Sequence, residues 1–115
     1  MHDDVRPYKL GRAHRHVAEI EQTLSTRVVF NPHVVPMERG MLATIHIRLD
    51  TDMSEEQVHT TLASFYADEP FIDVLEFGEV ARIRAVTRTN KAQLAINPVY
   101  KEPREWMLTG ALDNL

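Results

Sequence analysis

The amino-acid sequence predicts an α+β domain, an open mixed β-sheet with helices packed on one face. Three stretches carry that prediction. From Met41 to Leu49 apolar and polar residues alternate: Met41, Ala43, Ile45, Ile47 and Leu49 face one way, and Thr44, His46 and Arg48 the other, the period of a half-buried strand. Ser54 with Gln57 three residues on forms a capping box, and Val58, Leu62, Phe65 and Tyr66 then recur on one helical face. Strand, helix and renewed apolar run around Ser54 to Tyr66 together predict a right-handed crossover unit.

Earlier in the chain, Arg6 to Arg12 reads as an extended lead-in, because Pro7 fixes its own backbone and pushes Arg6 away from helix, while Gly11 permits a turn. A helix follows, with Val17, Ile20 and Leu24 on one face, Glu19, Glu21 and Gln22 on the wetter ones, and Glu19 and Glu21 near its positive end. Val28-Val29-Phe30 begins a strand that Pro32 and Pro36 interrupt, which places it at an edge or a bend. Gly40 marks the turn into the strong strand. The second helix should end near Asp68, since Pro70 cannot continue it, and Asp68-Glu69-Pro70 is a helix stop with solvated charges. Phe71 to Leu75, a turn at Gly78, a strand through Ile83 and Val86, another through Lys91 to Val99 and an apolar segment from Trp106 to Leu112 complete the chain. Tyr66 and Phe71 are expected in the core. A two-layer sheet leaves its second face to be covered, so a homo-oligomer through the sheet face, or packing against another domain, is expected.

Length and composition agree with one domain over residues 1–115: hydrophobic content is 43% and charged content 26%. A formal net charge of -4 argues against a nucleic-acid partner, which needs a basic surface, and the local run Arg82, Arg84, Arg88 is read as a solvated strand face. No apolar run approaches bilayer length and the N-terminus lacks a basic region followed by an apolar one, so no membrane partner and a cytoplasmic setting are expected. There is no cysteine, which removes disulfides, thiolate metal sites and cysteine nucleophiles together.

The chemistry concentrates in His14-Arg15-His16-Val17-Ala18-Glu19-Ile20-Glu21-Gln22, two imidazoles, an arginine and two carboxylates within nine residues. Histidine titrates nearest physiological pH, so His14 and His16 are candidates for acid/base work, for a metal or for helix capping. In an extended segment they would point the same way; inside a helix they would stand about 200° apart and could not share one ion. With no third ligand nearby, no metal is expected. His33 is read as a partly buried packing residue, His46 as a residue of the polar strand face, and His2 and His59 as surface residues. Arg39, beside Gly40, could anchor a phosphate or carboxylate through its planar fork.

The blocks from His14 to Gln22, from Pro32 to Thr44 and from Phe65 to Phe71, with Thr89-Asn90 and the closing Ala111-Leu112-Asp113-Asn114-Leu115, run in one order along nearly the whole chain. In that order they resemble the C-terminal domain of the N-acetyl-gamma-glutamyl-phosphate reductases, the semialdehyde dehydrogenases of arginine biosynthesis. The resemblance implies a catalytic and dimerisation domain like the C-terminal domain of glyceraldehyde-3-phosphate dehydrogenase. It implies NADP as cofactor, bound mainly by an N-terminal domain, and N-acetyl-glutamyl phosphate or its semialdehyde as the small-molecule substrate. In such enzymes a cysteine thiolate attacks the acyl phosphate, phosphate leaves, and hydride converts the thioester to the semialdehyde. By resemblance His14, with His16 as close second, takes the acid/base role, and Arg12 and Arg15 join Arg39 as candidates for the anionic substrate.

The chain also departs from the family pattern. The cofactor domain and the cysteine lie upstream of the matching stretch in that family and are not here, the last motif stops at Leu115, and Lys91-Ala92 follows Asn90 where an aromatic and a cysteine or small residue are frequent. An excised domain, inactive alone, is therefore expected. The alternatives are a non-catalytic dimerisation or interaction module of the same fold, and a lysine-biosynthetic homologue acting on a carrier-protein-linked substrate.

Overall fold

Residues 3–114 are described by the computed structural model, so the surface position expected for His2 and the closing Leu115 lie outside the described residues. The chain divides into two compact units, Met1–Glu38 and Arg39–Leu115.

In the first unit β1 (Arg6–Pro7) pairs antiparallel with β2 (His33–Val34). Between them α1 (His16–Leu24) forms where helix is expected, burying Val17 and closing at Ser25, which adopts a left-handed φ of 54° and donates its N–H to the Glu21 carbonyl. The strand expected from Val28 is not formed. Val28 and Phe30 donate their N–H groups to the Glu21 carboxylate and the Gly11 carbonyl instead, at 2.9 and 2.7 Å. Prolines on both sides of His33 restrict the ladder to two residues, because each removes a donor.

The second unit is a four-stranded sheet in the order β3 (Met41–Arg48), β6 (Glu102–Leu112), β5 (Ala92–Val99), β4 (Ile72–Val74). Only β4 and β5 are parallel; the other neighbours are antiparallel. It follows that β3 and β4 run the same way at the two edges, joined by α2 (Glu55–Phe65). The capping box is formed as expected: Gln57 N–H donates to the Ser54 hydroxyl, and Ser54 N–H to the Gln57 side chain. Cross-strand register sets the two faces, since directly opposed residues point the same way. Ile47 opposes Trp106, and Ile45 and Ile96 both oppose Leu108, giving an apolar face. Val58 and Leu62 of α2 lie over that face beside a cavity of about 270 Å³ that Ile47, Trp106 and Leu108 also line. Thr44, Thr109 and Ala95 share a row on the opposite face, as do His46, Met107 and Asn97.

That opposite face meets a helix where a strand is expected. Ile83 to Val86 forms one turn, α3, and buries Val86 against Ala81 and Ala111. Its approach is tied to the sheet by side chains in place of a ladder: Ala81 N–H donates to the Thr109 hydroxyl at 3.0 Å and Arg82 N–H to the Gln93 side-chain oxygen at 3.3 Å. Both acceptors are distant in sequence, which is why alternation alone misleads here. Arg82, Arg84 and Arg88 are exposed as expected, but on this turn and the bend after it and not on a strand. Pro98 is accommodated in β5 because β4 reaches only from Ala92 to Leu94, and the register shifts beside it.

At Gly40 φ is +104°, and a Cβ would lie 2.6 Å from Ile83 Cγ2. Gly40→Ala therefore combines a strained backbone with a clash and should cost about 2 kcal/mol in urea unfolding. Gly78, at φ +80° with open space around it, should cost less on the same substitution.

Candidate active site

His14 sits in the turn that leads into α1. Lys9 and Gly11 both have positive φ, the Ala13 N–H closes onto the Leu10 carbonyl, and the His14 carbonyl accepts from Val17 N–H at 3.0 Å. The imidazole is half-buried and held on three sides. Phe30 meets it edge-on at 5.3 Å and 87°, Tyr8 at 5.9 Å and 61°, and the His16 ring lies 4.5 Å away. The His16 backbone N–H donates to His14 Nδ1 at 3.1 Å. An accepting Nδ1 carries no proton, so the neutral ring has its hydrogen on Nε2. Burial of the ring holds the His14 pKa below the ordinary imidazole value; the positive charges of His16, Lys9 and Arg15 act in the same direction, against Glu19. A ring fixed in one tautomer and kept neutral offers an N–H donor to a thiolate or an oxyanion.

His14 lies just outside α1 and His16 is its first residue, so their rings stand side by side without violating helical geometry. No group of three His, Asp or Glu side chains able to hold a metal is present among the described residues.

Arg12 is engaged by the chain itself. Its two Nη groups meet Glu21 Oε2 and Oε1 at 2.6 and 3.0 Å, and Nη1 also donates to the Val28 carbonyl at 3.0 Å. The Glu21 hydrogen bond raises the Arg12 pKa. In return Arg12, and next the Val28 N–H, hold the Glu21 carboxyl at about 2. This fork ties α1 to the segment after it. A carboxyl depressed in the folded state stabilises above its unfolded value, near 4.3, and that contribution is lost as pH falls toward 2. Glu21→Gln should thus destabilise the first unit at pH 6 and cease to differ from wild type near pH 2, measured by amide NMR signals of α1 across the acid range.

Arg15 is exposed at the head of α1 and makes no side-chain hydrogen bond among the described residues. Arg39 belongs to the second unit, where its Nε donates to Asp113 Oδ1 at 3.1 Å. The other histidines divide. His46 pairs with Glu105 at 2.9 Å on the polar strand face, as expected. His33 is exposed where partial burial is expected, because its ring turns back to donate Nδ1–H to the Asn31 carbonyl at 2.9 Å. His59, expected at the surface, is half-buried; its Nε2 donates to the Leu75 carbonyl at 2.8 Å and its ring lies 4.9 Å from Phe77, so it fastens α2 to the end of β4. Tyr66 is half-buried, but Phe71, expected in the core, is exposed, since its backbone is the part engaged: its carbonyl accepts from Ala92 N–H. The aromatic pair around His14 is not foreseen from sequence, because Phe30 follows it by 16 positions within an apparent strand.

No described helix is long and apolar enough to cross a membrane. The family profile described as semialdehyde dehydrogenase, dimerisation domain, matches residues 1–114. Among curated proteins, the chain is 39% identical over 115 residues to N-acetyl-gamma-glutamyl-phosphate reductase of Rhodobacter capsulatus, covering 95% of this chain and 32% of that protein. It is 36% identical to the protein of that name from Clostridium beijerinckii, covering 95% and 33%. The Staphylococcus aureus counterpart is 33% identical over 121 residues, covering 100% and 35%. The chain thus spans about a third of the length of the curated relatives it matches.

Proposed function

This chain belongs to the semialdehyde dehydrogenase dimerisation-domain family, and we propose that it is the C-terminal domain of a cytoplasmic, NADP-dependent N-acetyl-gamma-glutamyl-phosphate reductase. The observation that carries the catalytic half of this reading is the clamped His14 ring, pinned through Nδ1 by the His16 amide. Its Nε2–H hydrogen-bonds the thiolate that attacks the acyl phosphate, and then the oxyanion of the tetrahedral adduct while the carbon–phosphate oxygen bond breaks and phosphate leaves. In the reverse direction the ring accepts the proton of the thiohemiacetal hydroxyl at Nε2 after a tautomer exchange that moves its own hydrogen to Nδ1 and breaks the contact with the His16 amide. The thiol itself comes from outside this sequence, which has no cysteine. Arg15, exposed beside the two histidines, supplies charge to the anionic substrate, and Arg12 serves the histidines by holding α1 in place through Glu21. Arg39, in the second unit, is a separate candidate contact for an oxyanion of the substrate.

The residues described here do not form a dinucleotide cradle. Glycines stand singly at 11, 40, 78 and 110, and the close approach that Gly40 permits is taken by Ile83. NADP would be held by another part of the enzyme, where it would supply the hydride that reduces the thioester. Homo-oligomerisation through the sheet accords with the family description, and the four-stranded sheet leaves Met41, Leu42, Ile45 and Leu112 exposed. The missing thiol favours one second reading, a dimerisation module without catalysis.

Phosphate-dependent oxidation of N-acetyl-glutamate semialdehyde with NADP separates them. The chain is assayed alone and joined to the cysteine-bearing cofactor portion of a relative such as that of Rhodobacter capsulatus. Activity only in the joined form supports the enzyme domain; a joined form that sediments as a dimer and stays inactive supports the module.

A further inference from the structure

Asp113 is the only buried polar or charged residue among the described residues, and its side chain is 1% exposed. A buried carboxylate is costly unless its lone pairs are taken up by donors. Here two separate segments supply them. Arg39 Nε donates to Oδ1 at 3.1 Å, and the backbone N–H of Arg88, a residue at φ +61°, donates to Oδ2 at 2.6 Å. The next residue repeats the grip, Asn114 Oδ1 accepting from Gly40 N–H at 3.1 Å. The end of β6 thus fixes both the approach to β3 and the bend before β5.

The grip on Arg39 differs from that on Arg12, and from that on Arg104, whose Nε meets Asp52 Oδ1 at 2.7 Å with both partners exposed. Arg12 closes its terminal fork on Glu21, both Nη groups on both oxygens, and leaves no paired donors to a ligand. Arg39 is held by Nε alone, because Asp113 gives its second oxygen to a backbone amide. Neither Nη of Arg39 makes a hydrogen bond among the described residues, and the side chain is 42% exposed. An arginine gripped at Nε with a free Nη pair has the donor arrangement for bidentate capture of a phosphate or carboxylate. Orienting it in advance removes part of the ordering cost of binding.

We propose that Asp113 is a positioning residue that presents the Nη pair of Arg39 to an oxyanion of the substrate. This rests on the reading of Arg39 as a substrate contact. The ligand chemistry is a phosphate or a carboxylate, and the two are separate arms of the test.

The test uses the ¹⁵N-labelled chain, with inorganic phosphate in one titration and N-acetyl-L-glutamate in the other, followed by NMR at arginine Nε–H and at the amides of residues 39, 40 and 88. In wild type the Arg39 Nε–H signal should be resolved, exchange with water more slowly than that of Arg15, and shift with at least one anion. Arg39→Lys, which keeps the charge but loses the fork, should weaken that binding about tenfold. Asp113→Asn should preserve the amide spectrum of the sheet, weaken the anion severalfold and merge the Arg39 Nε–H with the mobile arginines. The double variant should bind no more weakly than Arg39→Lys. If Asp113→Asn lowers thermal stability but binds the anion as wild type does, while Arg39→Lys weakens it, positioning is wrong and the contact stands. If Arg39→Lys and Arg39→Ala both bind as wild type, or wild type answers neither anion, the contact itself is wrong and positioning falls with it. Should Asp113→Asn fail to fold, wild-type exchange decides: an Arg39 Nε–H as fast as that of Arg15 overturns the proposal.

Discussion

His14→Ala should lower kcat of the joined, active enzyme by about 10²- to 10⁴-fold, the range for losing a positioned proton-handling group. The expectation rests on how the ring is held. Tyr8 and Phe30 confine it from two sides, and the His16 amide fixes its tautomer, so little reorganisation is required when charge develops on the substrate. His16→Ala tests the alternative assignment cleanly. It removes the exposed ring but keeps the backbone N–H that pins His14, and should cost less than about tenfold. The pH profile gives an independent signature. Because the positive charge of His16 helps to hold the His14 pKa below its ordinary value, His16→Ala should move the acidic limb of kcat/KM upward, toward about 6.5. If His14→Ala leaves kcat unchanged while His16→Ala abolishes it, the two roles are reversed.

Trp106→Ala should destabilise the second unit by about 3–5 kcal/mol, as full truncation of a buried aromatic does. Trp106 is 3% exposed on the central strand β6, opposite Ile47 on one side and Pro98 on the other, and faces α2. Against a total of about 5–15 kcal/mol for a small domain, such a loss brings the sheet close to unfolding at ambient temperature. Urea titration followed by far-UV circular dichroism reads it, since the sole tryptophan is removed. Trp106→Phe separates packing from polarity. The indole Nε1 has no acceptor in the structure, so the phenylalanine variant loses volume but no hydrogen bond and should cost about 1–2 kcal/mol. A midpoint for Trp106→Ala within experimental error of wild type would place the core of this unit elsewhere.

Elements that depend on near neighbours in sequence were readable before the structure. The alternation of Met41 to Leu49 becomes β3 with the expected faces, and Ser54 and Gln57 form the expected capping box, because pleat and cap are set within a few residues. Elements whose backbone groups find distant partners were not. Val28 to Phe30 looks like a strand but bonds Glu21 and Gly11; Ile83 to Val86 looks like a strand but is turned by Thr109 and Gln93. The β5–β6 connection at Tyr100-Lys101 has no glycine to announce it, and Lys101 takes the left-handed conformation at φ +60°.

The candidate site divides along the same line. Residue type and spacing brought His14, His16 and Arg39 forward, the family resemblance added Arg12 and Arg15, and the ordered motifs indicated the family to which the chain belongs. Sequence determined which chemical groups are present, that a thiol is not among them, and where the strongest strand and capped helix lie, since these are properties of residues and short periods. Only the tertiary structure decided that Phe30 and Tyr8 enclose His14, that Glu21 claims the Arg12 fork, and that Asp113 grips Arg39 by a single nitrogen. Those outcomes depend on which rings chain folding packs against His14 and on which donors and acceptors it brings within hydrogen-bond reach, at separations of 9 positions for Arg12 and 74 for Arg39, and on what burial does to their charge.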